Sequence, residues 1–325
     1  MAINTNQRYT RKTVVLAKIE TAYGTDAAPT ATDAMLISEA TLTYQSNNKT
    51  RDVLRPFLGA AEELVGDDNM QLSFTVEASG SGTKGTAPAW GRLLRACGFA
   101  EVVTAATRVI YNPVSADFSS LTMVFAIDGI WYKLTGARGT FTFSAPIGDT
   151  PKLKFTFTGR YDGLIGTTAV TATMAAWKVP QMITNYNTGD FTVDPTYTAG
   201  VLSAGEIWAS RGIDINVSNS VVYQPMLGTG ADRVLITDRQ VSGSLTLDLS
   251  AAKEAEFRAA VRANSTYKIG FTHGNADGYR LSFYAPRCQF INPQIVDQDG
   301  VAMTSLDLRL MPTDSGNDEL LLICA

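Results

Sequence analysis

Leu72, Phe74, Val76 and Ala78 alternate with Gln71, Ser73, Thr75 and Glu77. That is the period-two pattern of a strand with one buried face and one wet face. Far along the chain, Leu245, Leu247 and Leu249 alternate in the same sense with Ser244, Thr246 and Asp248. A short helical pattern follows each strand. In the first, Trp90, Leu93, Leu94 and Cys97 form an i, i+3, i+4, i+7 stripe, with Thr86 as N-cap, Pro88 in the first turn and Gly98 to end it. In the second, Phe257, Ala260 and Val261 repeat the stripe after Ser250 as cap. Such stripes predict core anchors rather than a ligand box.

The stretches before these strands also match. Thr41, Thr43 and Gln45 alternate with Leu42 and Tyr44, and a polar hairpin then reaches the tip Arg55-Pro56-Phe57-Leu58-Gly59. Its return is acidic, with Glu62, Glu63, Asp67 and Asp68. A second strand, starting near Gly212, leads to the tip Gln224-Pro225-Met226-Leu227-Gly228 and returns through Asp232-Arg233-Val234. This order of elements predicts a tandem duplication. The spacing between matched positions is nearly constant from tips to helices. It then falls by about twenty residues, so the first copy should carry a surface loop within 100–118.

From Leu121 onward the pattern predicts strands at Thr122–Ile127, Trp131–Leu134, Gly139–Ser144 and Leu153–Gly159. The second copy offers Lys268–His273, Tyr279–Tyr284, Arg287–Ile291 and Thr304–Met311. The fold class is mainly β, each copy being a small antiparallel structure with one flanking helix. The domain reading is a first fold with an N-terminal arm over 1–163, a connecting segment rich in Thr, Ala, Tyr and Asn over 164–205, and a second fold over 206–325. The run Leu320-Leu321-Leu322-Ile323-Cys324 is expected to be buried, in this molecule or the next.

Composition narrows the function. The 325 residues are 45% hydrophobic and 18% charged, a globular balance. Net charge is −4, with 27 basic and 31 acidic residues and no basic cluster, which speaks against tightly held nucleic acid. The first thirteen residues do not form a secretion signal, and no run of apolar residues is long enough to span a bilayer as a helix, so no membrane partner is expected. Cys97, Cys288 and Cys324 lack metal or redox spacing and read as reduced thiols.

Candidate chemistry is thin. His273 is the one histidine, which removes Ser-His-Asp, Cys-His and multi-histidine metal sites, and its place in His273-Gly274-Asn275 suggests a solvated turn residue. Gly80-Ser81-Gly82-Thr83-Lys84-Gly85 satisfies G-x-G-x-x-G, but the strand before it alternates polar and apolar residues, unlike the buried parallel strand of a dinucleotide site. It is read as a strand-to-helix loop. Asp297-Gln298-Asp299-Gly300 lacks the further ligands of a calcium loop and reads as a hairpin turn. No catalytic residue, metal site or cofactor is expected, and the chain is not read as an enzyme.

Phe57 and Leu58 at a protruding tip, echoed by Met226 and Leu227, instead mark a surface for a partner. The arm Lys18-Ile19-Glu20-Thr21-Ala22-Tyr23-Gly24-Thr25 is extended, with a turn at Gly24. That arm, the long hairpin with its acidic return, the single helix and the closing strands resemble the tail tube (major tail) proteins of long-tailed, non-contractile bacteriophages. The doubled hairpin and helix resemble the variant with two tube folds per chain.

The resemblance implies two tandem β-sandwich or barrel-like folds that join edge to edge. Three copies would then close a ring with pseudo-sixfold symmetry, and stacked rings would form a conduit for DNA. It implies contacts between rings or subunits through Tyr23, Arg55, Pro56, Phe57, Leu58, Glu62, Glu63, Pro225, Met226, Leu227 and Arg233. One such contact would pair the acids of one copy's tip with the arginines of the other's. Partners would be the chain itself, the tape measure, terminator and tail-tip proteins, and DNA as transient cargo. The location would be the virion tail after assembly in the host cytoplasm. Another tube-like component, namely a tail-tip, terminator or injectisome-type ring protein, stays open. So does a carbohydrate-binding β-sandwich with Trp131, Trp177 and Trp208 as an exposed sugar platform.

Overall fold

The computed structural model describes residues 7–166, 171–228 and 230–325. The start of the N-terminal segment, four residues of the connecting segment and Thr229 by the second tip lie outside the described residues. The chain is mainly β, with two α-helices among the described residues, α1 at Gly91–Ala96 and α2 at Ala251–Arg262.

In the first half, six strands lie side by side and antiparallel. Their order is Ser38–Ser46, Asp68–Glu77, Lys152–Gly166, Ile130–Pro146, Leu121–Ile127 and Thr13–Ile19. In the second half the order is Ser210–Asn216, Ser242–Leu247, Val301–Leu310, Leu281–Gln298, Thr266–His273 and Phe191–Val193. Both ladders follow one plan. Each begins with the strand that leads into a long hairpin, and each places the strand after that hairpin second.

The two ladders join through one seam. The distal end of Ile130–Pro146 pairs with Ser210–Asn216, Thr142 facing Asn216 and Pro146 facing Gly212. A second stitch comes from Leu321–Cys324, which lies between Leu281–Tyr284 of the second half and Val109–Tyr111 of the first. The apolar terminus is thus buried, as its sequence demands. One hydrophobic core runs through both halves. Phe74, Phe141, Phe155 and Phe157 stack in the first half, and Phe143 meets Phe283 of the second at 4.1 Å between ring centroids. Each such ring contributes about 1.5–3 kcal/mol by leaving water.

Several expectations need correction. Residues 100–118 are not a surface loop: Phe99–Thr104 and Arg108–Pro113 form a hairpin whose Val109 and Tyr111 are fully buried. The separate strands expected at Trp131–Leu134 and Gly139–Ser144 are one strand, Ile130–Pro146, that passes through an irregularity between Thr135 and Arg138. Likewise Tyr279–Tyr284 and Arg287–Ile291 fall largely within the single strand Leu281–Gln298. A bulge absorbs the phase change that sequence periodicity reads as a break.

Helix α1 begins later than Thr86 and Pro88, which lie in the turns before it. Trp90 stands at its start, buried, and donates its indole N–H to the Ser79 carbonyl at 2.8 Å. Gly98 ends it at φ +82°, a conformation that favours glycine. Helix α2 has the expected Ser250 cap, whose hydroxyl accepts from the Lys253 amide. Its stripe is shallower than expected, because only Phe257 is buried while Ala260 and Val261 are half-buried.

Candidate functional site

The site is a set of strand edges and projecting hairpins. From Asn47 to Asp67 every residue except Ala61 is exposed. Lys49–Thr50 pairs with Glu63–Leu64 near the base, and beyond it Glu62 accepts from Arg51 and from Arg55, the latter at 3.0 Å. Its own backbone amide and then these guanidinium groups hold the Glu62 carboxyl below the usual carboxylate range. Leu54 and Leu58 are fully exposed and Phe57 is 63% exposed. This hairpin holds its shape by local charge pairing and offers its apolar tip to solvent.

The second hairpin, Asn219–Gln224 with Arg233–Arg239, is seated instead. It lies against Ile130–Pro146 and Lys152–Gly166 of the first half. Asn219 fixes the entry: its side-chain amide donates to the carbonyls of Cys97 and Gly139 at 2.7 and 2.9 Å, and its backbone N–H donates to the Thr140 hydroxyl. On the returning arm, Val234 is fully buried. The Val234 carbonyl accepts from Arg138, and its N–H donates to the Tyr23 hydroxyl. Near the tip, Arg160 donates to the Gly230 carbonyl at 3.2 Å. Burial, then the carboxylates of Asp232, Asp67 and Asp68, push the Tyr223 phenol up to about 12.

Tyr23 belongs to a knot built on Glu20. That buried carboxylate accepts from the Gly24 and Gly136 amides, both at 2.7 Å, and from the hydroxyls of Ser120 and Thr122. Four donors compensate a charge that would otherwise be costly to bury. The Arg138 guanidinium lies 4.8 Å from the Tyr23 ring centroid. The arm is thus pinned, and Tyr23 is carried to the second hairpin.

The structure joins Arg55 with Glu62 and brings Tyr23 to Val234, next to Arg233, whose Nε donates to the Gln224 side chain. Glu63 is a member of the small ladder at the base. Pro56, Phe57, Leu58, Pro225, Met226 and Leu227 are left exposed at the two tips. Sequence reasoning missed Asn219, Arg138 and Arg160, which seat the second hairpin. One signal was present: Asn48 and Asn219 each follow the strand that enters a hairpin, yet only Asn219 has something to bind.

Several strand edges stay open among the described pairings, Phe99–Thr104 and Glu206–Trp208 among them, and two belong to long strands of the ladders. Ser38–Ser46 pairs on one side only, with Asp68–Glu77. The distal part of Leu281–Gln298 pairs with Val301–Leu310 on one side, and its other side is not covered beyond Gln289. Pro293, which has no N–H to give, sits in that distal part, as proline does on edge strands. A cleft of about 920 Å³ lies between this region and the base of the second hairpin. Arg239 on its wall is paired with the carboxylate of Glu319 at 2.5 Å, both nearly buried.

Other expectations change. His273 is not solvated: it is 2% exposed, with Nδ1 against the Thr188 hydroxyl and Nε2 against the Gln181 carbonyl, and burial holds its imidazole below the ordinary value. Trp208 is buried and Trp131 and Trp177 are half-buried, so the three do not form an exposed sugar platform. The glycine loop packs on the second half. A Cβ on Gly80 would lie 2.0 Å from the Gly278 carbonyl oxygen, the Gly82 amide donates to that same oxygen, and Lys84 pairs with Asp277. Its glycines permit close approach of two backbones. Burial pushes the thiols up, that of Cys288 to about 12, so they are poor nucleophiles. Among the described residues there is no cluster of three or more His, Cys, Asp or Glu suited to a metal, and no helix is long and apolar enough to cross a membrane.

A search of curated proteins found none similar to the chain. The sequence model of a family described as phage tail tube protein matches residues 10–309, nearly the whole length. That family is structural rather than enzymatic, its members are virion components, and membership implies self-assembly and other tail proteins as partners. With its open β-edges and projecting hairpins, the chain belongs to the phage tail tube protein family.

Proposed function

We propose that this chain is a ring-forming subunit carrying two tube folds of common origin, and that three copies close a ring with pseudo-sixfold symmetry. Rings then stack into a hollow tube through which DNA passes into the host. Assembly takes place in the host cytoplasm, around a tape measure and between terminator and tail-tip proteins.

The seam inside the chain is the observation that carries this reading. There the distal end of Ile130–Pro146 meets Ser210–Asn216 and joins the two ladders edge to edge. By place in the two ladders, Ser38–Ser46 corresponds to Ser210–Asn216, and Leu281–Gln298 corresponds to Ile130–Pro146. The open edges of Ser38–Ser46 and of distal Leu281–Gln298 are therefore the counterparts of the two edges that meet in this seam. Paired between molecules, they satisfy backbone groups that would otherwise face solvent as an open template. Such a contact is head-to-tail and gives a ring when its rotation closes. A chain of net charge −4 also suits a conduit, since a strongly basic lumen would hold phosphate back. The exposed tips, with Arg55, Pro56, Phe57, Leu58, Glu62, Glu63, Pro225, Met226 and Leu227, make contacts between copies. Tyr23 and Arg233 place the second hairpin for that purpose.

Negative-stain microscopy of concentrated protein tests the reading. Stacked rings with a central hole are the expected result. Isolated rings that never stack point to a terminator or tail-tip role, and compact monomers at every concentration would falsify self-assembly.

A further inference from the structure

We propose that the cleft of about 920 Å³ in the second half is the seat for the Asn47–Asp67 hairpin of a second copy of this chain. The proposal rests on the ring reading and deepens it by naming the occupant and the residues that receive it.

The argument is one of matched walls. In the first half, the face of Ile130–Pro146 and Lys152–Gly166 is covered by the Asn219–Arg239 hairpin. In the second half, the corresponding strands are Leu281–Gln298 and Val301–Leu310. Ile291 and Arg309 of these strands line the cleft together with Ile236 and Asp238 at the base of the second hairpin, Phe118 of the first half and Asn317.

The ladders fix the correspondence to single residues. Asn69 pairs with Gln45 on one side and Arg160 on the other. Ser242 pairs with Asn216 on one side and Arg309 on the other. Arg160 and Arg309 therefore hold the same position. Arg160 donates to the carbonyl of Gly230 in the seated hairpin, whereas Arg309 lies exposed on the cleft wall.

The occupant is fixed by what is left over. Each half carries one long hairpin, and the second hairpin is seated on the first half of its own chain. The first hairpin is exposed almost throughout, with six large apolar side chains, Val53, Leu54, Phe57, Leu58, Leu64 and Val65, open to solvent. The half that would receive it by the same step is that of the neighbouring molecule, across the open edge Ser38–Ser46. Asn48 then stands where Asn219 stands and finds the backbone around Asn292. The returning arm at Ala61 stands where Val234 stands and covers Ile291.

The test uses full-length protein under conditions in which it assembles, with Ala61→p-benzoyl-phenylalanine as photocrosslinker. Illumination should give a covalent dimer whose joined peptides, found by mass spectrometry, link residue 61 to the cleft segments 236–243 or 291–311. Arg309→Glu should lower that yield on the order of tenfold by opposing the acidic hairpin. Lys154→Glu, an exposed charge elsewhere on the surface, should not. Rings whose residue 61 crosslinks outside those segments, or whose yield is unchanged by Arg309→Glu, overturn the seat and leave the ring reading standing. Protein that stays monomeric and gives no dimer overturns both.

Discussion

The hairpins 47–67 and 219–239 connect the first two strands of their respective ladders, and both end in an apolar tip after a proline. They differ in what lies beneath them. The second has two strands of another half under it and spends its polar groups on that surface: Asn219 on two carbonyls, Val234 on Tyr23 and Arg138. The first pairs its charges with one another, Arg51 and Arg55 on Glu62. A hairpin that leaves water needs partners for its backbone, while one that stays in water needs only to hold its own shape. The contrast therefore separates a docked element from one that stands in solvent.

Four experiments bear on that contrast. The largest effect should come from charge in the seat. Val234→Asp buries an unpaired carboxylate and should cost about 3–5 kcal/mol in denaturant unfolding, while Ala61→Asp, at the matching place on the free hairpin, should leave the midpoint of the isolated chain unchanged. Equal effects would show that both hairpins are docked in the monomer.

Next comes the hinge asparagine. Asn219→Ala leaves two buried carbonyls without a donor and should cost about 1–3 kcal/mol, whereas Asn48→Ala should fall within about 0.5 kcal/mol of the parent. If the first hairpin docks as proposed, that ranking should shift in assembled protein. Tyr23→Phe removes the acceptor of the Val234 amide. It should cost about 1 kcal/mol and speed amide exchange at Val234 with no effect at Ala61.

Acid resolves the regions most finely. Burial holds the His273 imidazole below its ordinary value, so its contribution is complete above about pH 6.5 and is lost as pH falls below that. The global unfolding midpoint should drop across that window. Glu62 is held below the usual carboxylate range, so its pairing with Arg55 and Arg51 is present above that range and is lost as pH falls through the lowered value. Because the hairpin is exposed, that loss should appear as faster amide exchange over 47–67, without a further fall in midpoint.

Period-two alternation made the strands legible, and order of elements made the family resemblance legible. Leu72, Phe74, Val76, Leu245 and Leu247 all face the core as their pattern requires. What was illegible depended on contacts between distant segments. Val109 and Tyr111 alternate as strand residues, but their pairing with the Leu321–Cys324 strand and the packing of Tyr111 on Trp90 join distant segments, so the region looked like loop. His273 sits by a glycine in a turn-like run and is buried because residues 181–188 fold over it. The seat of the second hairpin joins residues 96 positions apart at Arg138 and Val234, and no local pattern announces such a pairing.

The seam between Thr142–Pro146 and Gly212–Asn216 forms within one polypeptide, so its closure is unimolecular and its equilibrium does not vary with protein concentration. Contacts between separate polypeptides have no such protection and weaken on dilution. Diluting the protein should thus part molecule from molecule while each keeps its two sheets together, which makes the covalently linked pair the smallest particle that dilution alone can release.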